Sequence, residues 1–217
     1  MSISLATGTQ VAIATTYGSP LAFTAPSNAA ETVLLMASTT GLAAGDIVEV
    51  TSSWEFLNGR IARVKTVNAN VSIVLELIDT TNTTRYPVGD GAGTVREITA
   101  FTSIPLIETA TVAGGEQQYV PVPELSKFKT AVLPSEQTGI TVTLPIYFEA
   151  TPGAGVSAII AAQGGSPVAM RATHPTDVLY ANGNWAFRRF PTLARGEARR
   201  SEATFSQLAV EETVYPI

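Results

Sequence analysis

A reaction needs a nucleophile, a base or a metal ligand, and this chain supplies few of them. Cysteine is absent, which excludes disulfides, thiolate zinc and thiol catalysis. The only histidine, His174, stands between Thr173 and Pro175 in a turn-forming stretch. A Ser–His–Asp triad would have to use it, yet nothing resembling a nucleophile elbow accompanies it. A metal site would have to rely on carboxylates, carbonyls and water. Glu211 and Glu212 are adjacent, and neighbours on a strand point to opposite faces, so they give no support to paired-carboxylate hydrolysis. The run GDGAG at Gly89–Gly93 is glycine-rich, but it lacks the Gly-Lys-Ser/Thr ending of a phosphate loop and no βαβ unit surrounds it, so it reads as a turn. No residue is assigned to catalysis, to a cofactor or to a metal.

Arginine is the one chemically loaded residue type that clusters. Arg188–Arg189 and Arg199–Arg200 bracket RRFPTLARGEARR, which also carries Arg195, so five of the thirteen basic residues fall there. Such clustering suits a nucleic-acid patch, but only Phe190 could serve as a stacking platform. Pairing with carboxylates of another subunit is the favoured reading; a solvated loop and nucleic acid stay open. A net charge of −5 argues against a grip on phosphates.

The elements that must position these residues read as short strands. Thirteen Pro and seventeen Gly are scattered through 217 residues, with β-branched residues between them. Charged residues are only 14%, against roughly 25% in an ordinary domain, and mean hydropathy is +0.22. No apolar run approaches the ~20 residues of a membrane span, and MSISLATGTQ lacks the basic start and apolar core of a signal peptide. A neutral surface loses little on being covered by other chains, so the composition leans towards an assembly subunit.

Strands are expected at Thr9–Thr15, Thr32–Ala37, Ile47–Ser52, Arg60–Val67, Val71–Ile78, Thr94–Ile98, Thr102–Val112, Gln117–Val122 and Leu125–Pro134, with Tyr17–Asn28 as a loop. The run GITVTLPIYFE at Gly139–Glu149 alternates cleanly, with Ile140, Val142, Leu144, Ile146 and Phe148 on one face. Pro145 marks an edge or a bulge there. One helix is expected over Gly153–Gly164. Further strands fall at Pro167–Thr173, Val178–Asn182, Trp185–Phe190 and Ser201–Leu208. His174–Asp177 is a turn, and Asn182–Gly183 is either a hairpin turn or a bulge inside one long strand. The fold class is all-β. Residues 31–100 read as a small barrel-like β subdomain inserted between 1–30 and 101–217, with addition to one larger sandwich as the competing reading.

Several stretches resemble the major tail tube proteins of bacteriophages with long flexible, non-contractile tails. They are VREITAFTSI (Val95–Ile104), GGEQQYV (Gly114–Val120), TGITVTLPIYFE (Thr138–Glu149), GAGVSAIIAA, the HPTD turn, VLYANGNWAF, PTLARGEARR and SEATFSQLAVEE. Gly183 matches a glycine that this family places inside the strand after that turn, which favours the bulge reading. The resemblance implies a β-sandwich with a flanking helix, hexameric rings stacked into a virion tail tube, and passage of double-stranded DNA without enzymatic activity. It implies assembly in the host cytoplasm with tape measure, terminator and baseplate proteins, and no membrane anchor. In that setting Arg188, Arg189, Arg199 and Arg200 are expected at contacts between subunits or rings. Glu149 is expected to line the lumen, and Ala113–Gln137 to order against a neighbouring ring. A carbohydrate-binding or capsid-decoration module is the alternative, with Trp54, Trp185 and Tyr180 as its stacking surface. A tail terminator or baseplate tube-like protein is a further one.

Overall fold

The computed structural model describes residues 8–123, 128–193 and 195–217. The first seven residues and the start of the expected Leu125–Pro134 strand lie outside them. Among the described residues the chain forms sixteen strands and one helix. The strands are β1 Gln10–Tyr17, β2 Leu21–Phe23, β3 Ala25–Pro26, β4 Val33–Leu35, β5 Ile47–Ser52, β6 Ile61–Asn68, β7 Ser72–Leu75 and β8 Gly93–Ser103. There follow β9 Thr111–Ala113, β10 Gln117–Val122, β11 Ala131–Gln137, β12 Thr141–Tyr147, the helix α1 Ala154–Ala162, β13 Val168–His174, β14 Asp177–Arg188, β15 Arg200–Gln207 and β16 Thr213–Pro216. The all-β expectation with one short helix holds.

Fourteen strands join one continuous antiparallel path, β3-β4-β7-β6-β5-β8-β1-β13-β14-β15-β12-β9, with β2 beside β8 and β16 beside β14. Strands far apart on this path share cores, so the sheet is folded over on itself. Phe23, Leu34, Val50, Trp54, Leu75 and Val95 close the first core. Ile13, Leu144, Val156, Ile159, Trp185 and Phe205 close the second, with α1 laid over it. A smaller cluster of Ile61, Ile98, Ala169, Tyr180 and Tyr215 sits between them. The clean alternation of β12 is borne out: Val142, Leu144 and Ile146 are buried while Tyr147 is exposed.

Strand β8 is the hinge pin of this path. Its first half pairs with β5, Val48↔Glu97 to Ser52↔Gly93, and with β2. Its second half pairs with β1, Ala12↔Ser103 to Tyr17↔Ile98. Residue 100 therefore falls inside one uninterrupted strand. The expected strand Thr102–Val112 is broken, because Pro105 has no N–H to donate and Leu106 is left-handed at φ 61°. The loop Tyr17–Asn28 contains β2 and β3, whose two or three residues are too short to show a period.

Asn182–Gly183 lies inside one long strand, as the favoured reading expects, but is neither a hairpin turn nor a bulge. Strand β14 runs straight through it, with Val168↔Gly183 on one side and Gly183↔Gln207 on the other and no shift of register. A Cβ on Gly183 would stand 2.1 Å from the Ser206 carbonyl oxygen, so the glycine permits a close approach of two backbones. Here β14 changes partner, from β16 at Asp177–Tyr180 to β15 from Gly183 onward. The Asn182 carbonyl accepts from the N–H groups of Leu208 and Ala209 where the chain leaves β15. The expected turn at His174–Asp177 is present and joins β13 to β14. Pro145 lies on the penultimate strand: its carbonyl accepts from Glu108 on the edge side, so its missing N–H faces outward.

Because the close approach at Gly183 is backbone to backbone, Gly183→Ala is expected to lower stability by about 1–3 kcal/mol. A urea midpoint that falls at unchanged slope is the check; an unchanged midpoint contradicts the packing described.

Candidate assembly surfaces

The features that could have carried chemistry are absorbed by structure. His174 sits at the β13–β14 turn with its Nδ1 2.8 Å from Thr176 Oγ1 and 3.9 Å from Asp177 Oδ2. Glu211 is held by Arg60 and Arg85, whereas Glu212 accepts from Gln207, so the two carboxylates diverge. The GDGAG turn spends its groups internally: Ser53 Oγ donates to Asp90, and Gly91 N–H donates to both. Gly91 is left-handed at φ 95°, and a Cβ there would stand 2.7 Å from the Trp54 ring. Trp54, Trp185 and Tyr180 are all buried, which removes the stacking surface a carbohydrate module requires. No group of three or more acidic or histidine side chains that could hold a metal exists among the described residues. No helix among them is long and apolar enough to cross a membrane.

The arginines and Glu149 gather at one end of the second core. Antiparallel pairing Tyr147↔Arg200 and Arg188↔Glu202 brings the ends of β12, β14 and β15 together. Arg188 Nη2 lies 3.3 Å from its cross-strand partner Glu202. Arg200 binds Glu108, with Nη2 donating to Oε1 at 2.8 Å; Nε is 2.7 Å from Oε2 but misaligned for a hydrogen bond. Arg199 stacks on Phe148, 4.8 Å from its centroid. Arg189 and Glu149 have no ion-pair partner among the described residues and line one cavity of about 280 Å³. Its other walls include Ile146, Phe148, Pro152, Val156, Ile160 and Phe187. Two of the four cations are thus neutralised inside the chain, a pairing set by cross-strand register that sequence spacing did not reveal.

The opposite end carries an arm. Strands β10 and β11 pair only with each other, Val120↔Leu133 and Val122↔Ala131, outside the large sheet. Tyr119 and Val120 point to opposite faces of this ribbon, and both are more than half exposed, as are Val132 and Leu133. Phe128, near the tip, is fully exposed. A two-stranded ribbon is at best marginal alone in water. The sequence marked two strands here, and the structure adds that they form a ribbon whose apolar residues stay exposed among the described residues.

A third feature, missed by sequence reading, is the fastening between the cores. Arg60, 10% exposed, donates to Glu211 at 2.6 Å and to Thr213 at 3.2 Å. Tyr215 on β16 is buried; its oxygen accepts from Arg63 N–H at 2.8 Å and its O–H donates to the Glu76 carbonyl. The Arg63 guanidinium stacks on the Tyr215 ring at 4.4 Å and is paired with Glu76, which holds that carboxyl below its ordinary range. On the other flank Asn182 donates to Glu49, whose second oxygen takes Arg96 at 2.8 Å. Arg60 lies more than 130 residues from Glu211 and Thr213, as do Arg63 and Glu76 from Tyr215 and Glu49 from Asn182, so no local pattern announces the contacts that join the cores.

The fold is that of an all-β subunit with one short helix and a two-stranded arm outside its main sheet. The family model for the phage tail tube protein, TTP, matches residues 52–216, about three quarters of the chain, and the chain belongs to that family. It is a structural protein of the bacteriophage tail tube and part of the virion tail. The search of curated proteins returns no match.

Burial pushes the Tyr215 hydroxyl up to about 12, against the smaller lowering effect of the Arg63 N–H. A raised tyrosine favours the protonated native state, so its contribution is complete below the unfolded value of about 10 and is lost as pH rises from 10 through 12. Tyr215→Phe is expected to flatten the fall in thermal midpoint over that window. At neutral pH it leaves the Arg63 N–H unpaired, at about 1–3 kcal/mol.

Proposed function

We propose that this chain polymerises as stacked rings, hexameric as the resemblance implies, into a conduit for double-stranded DNA. The observation that carries this reading is the arm: a ribbon with apolar residues exposed on both faces, which pairs with no other strand among the described residues. Such a segment favours a partner chain over solvent. Burying it against a neighbouring ring couples arm ordering to growth, because the ordering entropy is offset only on contact. The sparse charge of the exterior supports the same reading, since few ions need desolvation when copies meet. A net charge of −5 keeps DNA phosphates from sticking in the bore.

Residues 31–100 act in this reading as an inserted β unit mounted on the tube body, its core completed by Phe23 from outside those bounds and its joint running along β8. The partners at the two ends of the tube are the terminator and the baseplate, with the tape measure inside. Arg188, Arg189, Arg199 and Arg200 form a basic end surface that meets neighbouring copies. Arg189, without an ion-pair partner among the described residues, and Arg199 carry most of that contact, because Arg188 and Arg200 are already engaged.

Purified protein concentrated towards millimolar is expected to form rings or tubes in negative-stain micrographs; a strictly monomeric sample, even with tail-initiation complexes, contradicts the proposal. Replacing all four arginines by Ala is expected to stop tube growth while circular dichroism shows a folded monomer. Normal tubes from that variant would remove the arginines from the contact.

A further inference from the structure

The two surfaces described above sit at opposite ends of the same strand. The arm joins the sheet at Gly115 and Thr138, whose N–H···O bond of 2.9 Å closes its root just before β12 begins at Thr141. The cavity opens just after β12 ends, between Tyr147–Ala150 and α1. Seven extended residues separate them by roughly 20 Å. The arm as knob and the cavity as hole do not meet within one subunit. Reciprocal exchange across a two-fold axis would close a pair, whereas a tail tube grows by repeating one contact in one direction. Knob and hole match head to tail, the geometry that yields an open stack rather than a closed dimer.

The chemistry of the two ends is complementary. The cavity is walled by Ile146, Phe148, Val156, Ile160 and Phe187, and its rim carries Glu149 and Arg189. Its volume of about 280 Å³ exceeds the ~150 Å³ at which an apolar cavity takes up benzene. The arm tip offers the most exposed aromatic of the chain, Phe128, followed by Lys129. Neither Glu149 nor Lys129 has an ion-pair partner among the described residues. A phenyl ring placed in the cavity sets the adjacent ammonium beside the rim carboxylate, and Arg189 supplies a guanidinium for the ring face.

We propose that the arm tip of one copy plugs the cavity beneath α1 of a copy in the next ring, with Phe128 in the cavity and Lys129 against Glu149. The proposal rests on the tube reading and identifies the contact that joins its rings. It gives Glu149 a role between copies in place of the lumen-lining one expected from the sequence.

The chain contains no cysteine, so a disulfide between one variant carrying Phe128→Cys and another carrying Ala150→Cys can only join two copies. Mixed and oxidised during assembly, the two variants are expected to give a mixed covalent dimer in excess of either self-dimer. Glu149→Lys and Lys129→Glu are each expected to block growth, and their combination to restore it, with unchanged thermal midpoints for all three. Phe128→Ala is expected to raise the critical concentration for tube formation about thirtyfold, the loss of one buried aromatic anchor. Wild-type tubes in micrographs, together with no mixed dimer and unhindered growth of both charge variants, overturn the plug and leave the tube reading standing. A wild-type chain that forms no tubes overturns the tube reading and the plug with it.

Discussion

The backbone ladder along β8 is the constraint on which the architecture depends. Each extended residue must place its N–H and C=O on a neighbour, and β8 does so with β5 and β2 at one end and β1 at the other. The two large cores therefore share a strand. One cannot rotate against the other without breaking hydrogen bonds in the middle of a sheet. Strand β14 repeats the device when it passes from β16 to β15 at Gly183. Such shared strands couple the two cores through covalent backbone rather than through a soft interface.

The charged residues follow from that joint. A protein with few charges places several of its arginines at the seam, where Arg60, Arg63 and Arg96 are paired, stacked or both. A guanidinium suits this position because its planar fork satisfies carboxylates while its face packs on tyrosine. Buried pairs of this kind contribute little net stability, but an orphaned partner is costly, so they select one docking of the cores over others. The C-terminal strand β16 takes part through Tyr215 and Thr213, which fastens the last residues of the chain to β6 and β7.

Two uncovered apolar features lie at the two ends of β12, the arm and the α1 cavity, beside scattered exposed residues such as Leu77 and Val88 on the first unit. The sheet edge at β9 is only three residues long, which blunts it against unintended pairing. The arm and the α1 cavity are by contrast apolar and open.

By itself the sequence determined the all-β class, the single helix, the alternating strand β12, the HPTD turn and the family. Each of these is written in local periodicity or in contiguous motifs. It also excluded cysteine chemistry by composition alone. Only the tertiary structure decided that β8 serves both cores, that Asn182–Gly183 lies within a strand, that Trp54, Trp185 and Tyr180 are core residues, and that Arg188 and Arg200 are already paired. A turn dipeptide and a close-approach glycine look alike in one dimension; a buried and an exposed tryptophan do too. What separates them is which distant strand lies alongside, and that register is a property of the whole folded sheet rather than of any stretch within it.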